Sequence, residues 1–296
     1  MNDQQKVSLP DIDVLFRETW ALYKSRFRTL ISISLVPTLV SFMGGLLIGG
    51  SGTSVAPSYA MIGLGVLLVA LGVVLGILSY LATIYALRDT IKVFDAYRAA
   101  LRRLFAYLWI VVLNGLMVLG GFIMGVIPGV IFSIWFIFAP FILVVEDKRG
   151  LDAILKSKEL VRGEWWPVFG RIIILTVAIL AITFLILLPI AFLGETAVNL
   201  GNVVLQIFLL PYVFAFGYIL YRQFTALKPD LMGAPVAAKK GFFVFSAILG
   251  LLVPIILIAT VGLTFVLNIL KSGSQLNQDF NLPPTNSLEQ SDNLSR

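Results

Sequence analysis

YLWIVVLNGLMVLGGFIMGVIPGVIFSIWFIFAPFILVV (Tyr107–Val145) is a run of 39 residues with no Asp, Glu, Lys or Arg. As a single helix it would be roughly 58 Å long, about twice the hydrocarbon core of a bilayer. One crossing cannot absorb that length, and two can. Gly125, Pro128 and Gly129 stand near its middle and supply a turn. The run therefore reads as a tight hairpin of two membrane helices, Tyr107–Ile127 and Pro128–Val145.

Five further uncharged runs lie on either side: Leu30–Ile48, Ala60–Leu87, Ile172–Leu193, Val203–Tyr221 and Phe242–Leu270. Each is near or above the roughly 20 residues that one crossing needs. The expected fold is all-α, a polytopic membrane helix bundle with about seven transmembrane helices. Composition agrees. Of 296 residues, 59% are apolar and 13% charged, and mean hydropathy is +0.97. A soluble domain carries about one quarter charged residues. Cysteine and histidine are absent, which removes disulfides, thiolate or imidazole metal ligands, and imidazole or thiol catalysis.

The net charge of +6 has a definite placement. Twenty of the 22 basic residues fall before span one, or between spans two and three, four and five, or six and seven. Residues 49–59, 125–129 and 194–202 carry none. Because Lys and Arg favour the cytoplasmic side, the expected topology is N-terminus cytoplasmic and C-terminus extracytoplasmic, in the cell membrane. Such a belt suits anionic lipid headgroups. It lacks the stacking aromatics of a nucleic-acid groove, so nucleic acid is not an expected partner. The first apolar run follows a charged stretch and reads as a retained span, not a signal peptide. Residues 1–28 form a cytoplasmic N-terminus, 29–270 the membrane domain, and 271–296, rich in Asn, Gln and Ser, an expected disordered extracytoplasmic tail.

Three charged segments are amphipathic at helical spacing. Before span one, Ile12, Leu15, Phe16, Trp20, Tyr23 and Phe27 form a stripe beside Asp13, Arg17, Lys24 and Arg28. Before span three the stripe is Phe94, Tyr97, Leu101, Leu104 and Leu108, opposed by Asp95, Arg98 and Arg102. Before span five it is Leu151, Ile154, Leu155 and Val161, opposed by Lys156, Lys158, Glu159 and Arg162. Three interfacial helices lying on the membrane are expected. Asp13, Asp95 and Asp152 align without gaps, with an aromatic fourteen residues on at Phe27, Trp109 and Trp166. Three copies of interfacial helix plus helical hairpin, with span seven added, would account for this; so would the ordinary amphipathic entry to a membrane helix.

No ionisable residue lies inside a span, which argues against proton relays and ion-coupled pumps. Asn114, Gln206, Asn268 and scattered Ser and Thr are expected to bond between helices. Gly45/Gly49, Gly72/Gly76 and Gly121/Gly125 have close-packing spacing, within the chain or between copies. Pro37, Pro140, Pro189, Pro211 and Pro254 are kink positions. Residues 146–164 are dense in both charges, with neither metal-ligand spacing nor a glycine-rich phosphate loop. A solvated, salt-bridged face is expected there. No catalytic, cofactor-binding or metal-ligating residue is assigned, and no cofactor is expected.

Ala139-Pro140 through Glu146, then Ser157-x-x-Leu160-x-x-Gly163 and Trp165-Trp166, with Leu220-Tyr221-Arg222 further on, resemble a pattern in prokaryotic membrane proteins similar to the membrane domain of glycerophosphoryl diester phosphodiesterases. The resemblance covers roughly residues 10–225. It implies a six-span membrane domain without a defined activity of its own. The catalytic barrel joined to it in some members relies on histidines, which this chain does not have.

The expected function is thus non-enzymatic, organising membrane lipid or a membrane partner, with a second copy as one such partner. A permease for an amphiphile or small uncharged solute is the alternative. A lipid-acting enzyme using the carboxylates of residues 146–164 is the third reading. The topology is directly testable, since the chain has no cysteine of its own. Cysteines at Ser54 or Asn199 should react with an impermeant thiol reagent added to intact cells, and one at Ser157 should not.

Overall fold

An apolar segment in hydrocarbon must satisfy its backbone hydrogen bonds within itself, and the chain answers with helix after helix. The computed structural model describes residues 9–49, 58–231 and 240–280. Its elements are α1 (Ile12–Ser25), α2 (Phe27–Gly49), α3 (Tyr59–Arg88), α4 (Val93–Met124), α5 (Val126–Trp135), α6 (Ala139–Glu146), α7 (Gly150–Val161), α8 (Trp165–Ala191), α9 (Glu195–Leu227) and α10 (Lys240–Phe280), with a 3-10 turn at Pro229–Leu231. Seven spans are long and apolar enough to cross a membrane: α2, α3, α4, α5 with α6, α8, α9 and α10. The chain is a multi-pass integral membrane protein with an all-α helical bundle.

The hairpin forms where the sequence places it. Gly125 alone separates α4 from α5, at φ 144°, a backbone conformation that disfavours any residue with a Cβ. Gly121 lies against Gly129 and Phe132, and Gly129 against Phe122, without room for a side chain at either glycine. Span four differs from expectation. It is two helices, interrupted at Phe136–Phe138, with Pro140 in the first turn of α6. A proline suits a first helical turn, where its missing N–H costs nothing.

Two boundaries move. The second amphipathic segment is not a separate interfacial helix, because no glycine or proline interrupts Val93–Tyr107 and α4 runs unbroken from the basic segment into the span. The helix of span seven continues to Phe280, ten residues into the expected tail. Residues 281–296 lie outside the described residues.

Close packing uses Gly72 and Gly121, which the spacing selected, and other glycines that it did not. Gly44 and Gly65 bring α2 and α3 into backbone contact, and Gly72 sits on Ser41. Gly45, Gly49 and Gly76 face open space. Gly120 sits beneath Ser246, and Gly250 on the Leu116 carbonyl, so α10 crosses α4 with no room for a Cβ. Hydroxyls secure both crossings. Ser79 Oγ donates to the Ile33 carbonyl at 2.7 Å, and Ser246 Oγ to the Met117 carbonyl at 2.9 Å. Tyr97 also donates to Ile33 O, at 2.8 Å. Asn114 does not take the interhelical role expected of it: its Oδ1 is buried without a partner among the described residues.

Beyond its crossing, α10 leaves the bundle, and every side chain from Ile255 to Lys271 is exposed. Gly120→Val should lower unfolding stability in mild detergent by about 1–3 kcal/mol through overpacking. Gly76→Val, with open space around its new side chain, should stay within about 0.5 kcal/mol of the parent. Far-UV dichroism on heating reads both, and equal midpoints would mean that α10 does not pack on α4 in this way.

Candidate functional site at the basic end of the bundle

The last carbonyls of a helix have no partner within it and favour a nearby cation. At the basic end of this bundle, lysines and arginines from one segment supply that partner to the next. Arg26 donates to the Ala86 carbonyl at the end of α3 and, at 2.6 Å, to that of Asp89. Arg88 donates to the Val144 carbonyl at the end of α6. Lys228 Nζ reaches the carbonyls of Leu160 and Arg162, at 2.8 and 2.6 Å, at the end of α7. Burial lowers the pKa of Lys228, against the pull of Glu164 and Glu159. Arg171 donates to Pro10 O at 2.7 Å, ahead of α1. The basic segments therefore meet at one end of the molecule and are bonded to one another.

At the centre of this end is a buried ion pair. Glu146, the last residue of α6, accepts from Lys156 Nζ on α7 through one oxygen, and from Tyr221 OH on α9 at 3.0 Å through the other. The side chains of Lys156 and Glu146 are 3% and 8% exposed. Lys156 also donates to the Leu231 carbonyl. Next to Lys156 on the helix, Ser157 Oγ accepts from Phe138 N at 3.0 Å and donates to Trp135 O at 2.7 Å. It thereby satisfies groups set free by the break between α5 and α6. Leu160 is fully buried, and Gly163, at φ 84°, makes the turn from α7 into α8. Pro140, Glu146, Ser157, Leu160, Gly163 and Tyr221, scattered over 82 residues of sequence, thus serve one junction.

Several expectations for the charged segment are corrected here. α7 does not lie with its apolar face on lipid. Ala153, Ile154, Leu155, Leu160 and Val161 are fully buried within the protein, against α4, α5 and α6. Lys156 belongs to that buried face rather than to a solvated one. Lys158 places its ammonium over the rings of Trp135 and Phe243, at 5.2 and 4.7 Å, so it is a packing residue. Ser157 is fully buried, and a cysteine there would be silent from either side. Arg162, with its side chain 73% exposed, is the position to label in its place, while Ser54 lies outside the described residues. The outer charges do pair: Asp147 with Arg103, Asp152 with Lys240, and Glu159 with Arg162. Among the described residues, no three acidic side chains come together as metal ligands would.

A second feature lies beside α1. Its stripe of Phe16, Trp20 and Tyr23, continued by Phe27 at the start of α2, turns toward α9, with Phe16 on Phe216, Trp20 and Tyr23 on Tyr212, and Phe27 on Phe208. Tyr23 OH donates to Phe208 O at 3.2 Å. Between this stripe, α9, and Leu175, Ile179 and Ile182 of α8 lies an almost wholly apolar cavity of about 450 Å³. That lies within the roughly 300–1,000 Å³ of ordinary ligand pockets. On the other side of α1 lies a cavity of about 570 Å³ of mixed lining, in which Glu18, Arg222 and Gln223 stand among Ala21, Leu22 and Ile219, with Gln223 Nε2 donating to Glu18 at 3.2 Å. The aromatic spacing of α1 was legible in the sequence. The cavity was not, because two of its three walls come from helices more than 150 residues away. Compared with protein-family models, curated proteins and solved structures, the chain matches none.

Breaking a buried ion pair leaves an uncompensated charge, at about 3–5 kcal/mol, whereas replacing both partners is far milder. Lys156→Met should therefore destabilise the protein strongly, and adding Glu146→Gln should recover much of the loss. Unfolding midpoints of the single and double variants measure this. Additive losses would show that the two side chains are not coupled.

Proposed function

We propose that this protein is a non-enzymatic component of the cytoplasmic membrane, with its N-terminus and basic end in the cytoplasm and its C-terminus outside, and that it organises lipid. The observation that carries this reading is the apolar cavity between α1, α8 and α9. It is lined by aromatic and aliphatic side chains, and it has the volume and chemistry to hold an acyl chain from the cytoplasmic leaflet. The distribution of basic residues supports the orientation. The non-enzymatic reading is supported by the fate of the carboxylates in residues 146–164. Four of the five, Glu146, Asp147, Asp152 and Glu159, are engaged in ion pairs, so they are tied to neighbouring cations rather than gathered around a shared pocket. The resemblance to phosphodiesterase membrane domains is kept at the same level: a shared membrane module, without the activity.

A permease would use the broken span α5/α6, since interrupted helices build transport sites. Ser157 and the interrupted backbone itself satisfy the groups freed at this break, which favours a structural role for it. Filling the cavity tests the lipid reading. Ala178→Phe, on the cavity wall, should reduce phospholipid retained through detergent purification, as measured by native mass spectrometry, without shifting the unfolding midpoint downward. Unchanged lipid retention with an intact fold would remove the cavity from the function.

A further inference from the structure

Much of the basic end is committed. Arg26, Arg88, Arg171 and Lys228 bond to carbonyls. Arg103, Lys156, Arg162 and Lys240 pair with carboxylates. Of the cations with neither role, three lie on and just after α1. Arg17, Lys24 and Arg28 are exposed, and among the described residues none lies within ion-pair distance of a carboxylate or donates a hydrogen bond. Arg17 and Lys24 are seven residues apart on α1, which puts them on one helical face, and Arg28 lies in the first turn of α2.

Trp20 stands on the same face, three residues after Arg17 and four before Lys24, and it is also a wall of the apolar cavity. The Lys24 ammonium lies over its ring, 5.3 Å from the centroid. Arg17 lies one turn before Trp20 on the same face of α1, and Arg28 follows the cavity-lining Phe27 at the start of α2. Three positive charges without a carboxylate partner among the described residues therefore stand on the segment that walls the apolar cavity, with Trp20 common to both. The carboxylates of α1 do not cancel the row. Glu18 turns toward Gln223, and Asp13, one turn before Arg17 on the same face, is not within ion-pair distance of it.

Resting on the lipid reading above, we infer that the cavity and this row form one site for an anionic phospholipid, its acyl chain against Phe16, Trp20 and Phe27 and its phosphate headgroup held by Arg17, Lys24 and Arg28. The arrangement matches the occupant at both ends. The cavity offers an acyl chain apolar walls, and the row offers an acidic headgroup three cations without a competing carboxylate. A zwitterionic lipid would fill the same cavity but would bring an ammonium to the row, where it would be repelled. The site thus selects by headgroup while holding by tail.

Trp20 reports on both parts. Full-length protein in nanodiscs of phosphatidylcholine would receive a small fraction of lipid brominated on its acyl chains, carrying either a phosphatidylglycerol or a phosphatidylcholine headgroup. The Trp20 signal is the difference between the parent and Trp20→Phe. Brominated phosphatidylglycerol should quench it at about tenfold lower mole fraction than brominated phosphatidylcholine. Arg17→Gln/Lys24→Gln/Arg28→Gln should abolish that preference while leaving quenching at high mole fraction. Lys92→Gln/Arg102→Gln, which removes charge outside α1, should leave the preference intact. Equal quenching by the two headgroups would overturn the headgroup site and leave the acyl-chain cavity standing. A preference lost equally in both variant sets would also overturn it, because surface potential alone would then explain the effect. Quenching by neither lipid would overturn the site together with the lipid reading and assign the cavity to another occupant, such as a second copy of the chain.

Discussion

The structure depends on satisfying backbone carbonyls at the basic end of the bundle. Each of the seven spans ends or begins there, joined by the N-terminal segment and three connections, and each helix terminus leaves carbonyls or amides that its own ladder cannot use. Arginine and lysine side chains from neighbouring segments fill these places: Arg26 for α3, Arg88 for α6, Lys228 for α7. A cation placed on a helix C-terminus both donates a hydrogen bond and meets the negative end of the helix dipole. The basic belt is therefore part of the fold as well as a marker of topology, and its members are not interchangeable with one another.

The Glu146–Lys156–Tyr221 junction follows the same rule in a drier setting. α7 is only twelve residues long, and it stays in place because its buried face is locked at several points. Lys156 reaches α6, Ser157 bridges the break in span four, Lys158 covers aromatic rings, and Lys228 closes its end. Burying a charge costs several kcal/mol unless it is fully partnered. Here both carboxylate oxygens of Glu146 are used, so the pair fixes which helices meet. Its work is positional, and the groups around it are already satisfied. The cavity beside α1 has the opposite character. Its walls offer apolar surface with little polar competition, and the cations of α1 beside it have no carboxylate partner among the described residues. The contrast is why the proposed lipid site is the cavity rather than the richest charge cluster.

Lipid-facing surface dominates the rest. In α8 and in most of α10 the side chains lie mainly outward, as they can when the surrounding solvent is itself apolar. Helix association then has no hydrophobic gain to draw on and rests on close approach and interhelical hydrogen bonds. That is why glycines and serines, rather than large aliphatic residues, define the α2–α3 and α4–α10 crossings.

The sequence by itself determined the helical class, the seven spans, the hairpin at Gly125 and the gathering of basic residues at one end. These follow from local properties: run length against membrane thickness, a residue tolerant of positive φ, and charge excluded from hydrocarbon. Tertiary structure alone decided what each charge does. Lys156 and Lys158 read as a polar face because helical periodicity says only which residues share a side, not what lies against it. Only the presence of α6, α9 and Trp135 makes that side an interior. Likewise Gly44 and Gly120 became contact points while Gly45 and Gly76 did not, because one residue of rotation, about 100° on a helix, separates a packed face from a lipid-facing one. The break in span four was legible only in part. Pro140 marked a kink position close to it, but what stabilises the interruption, Ser157, arrives from a different helix.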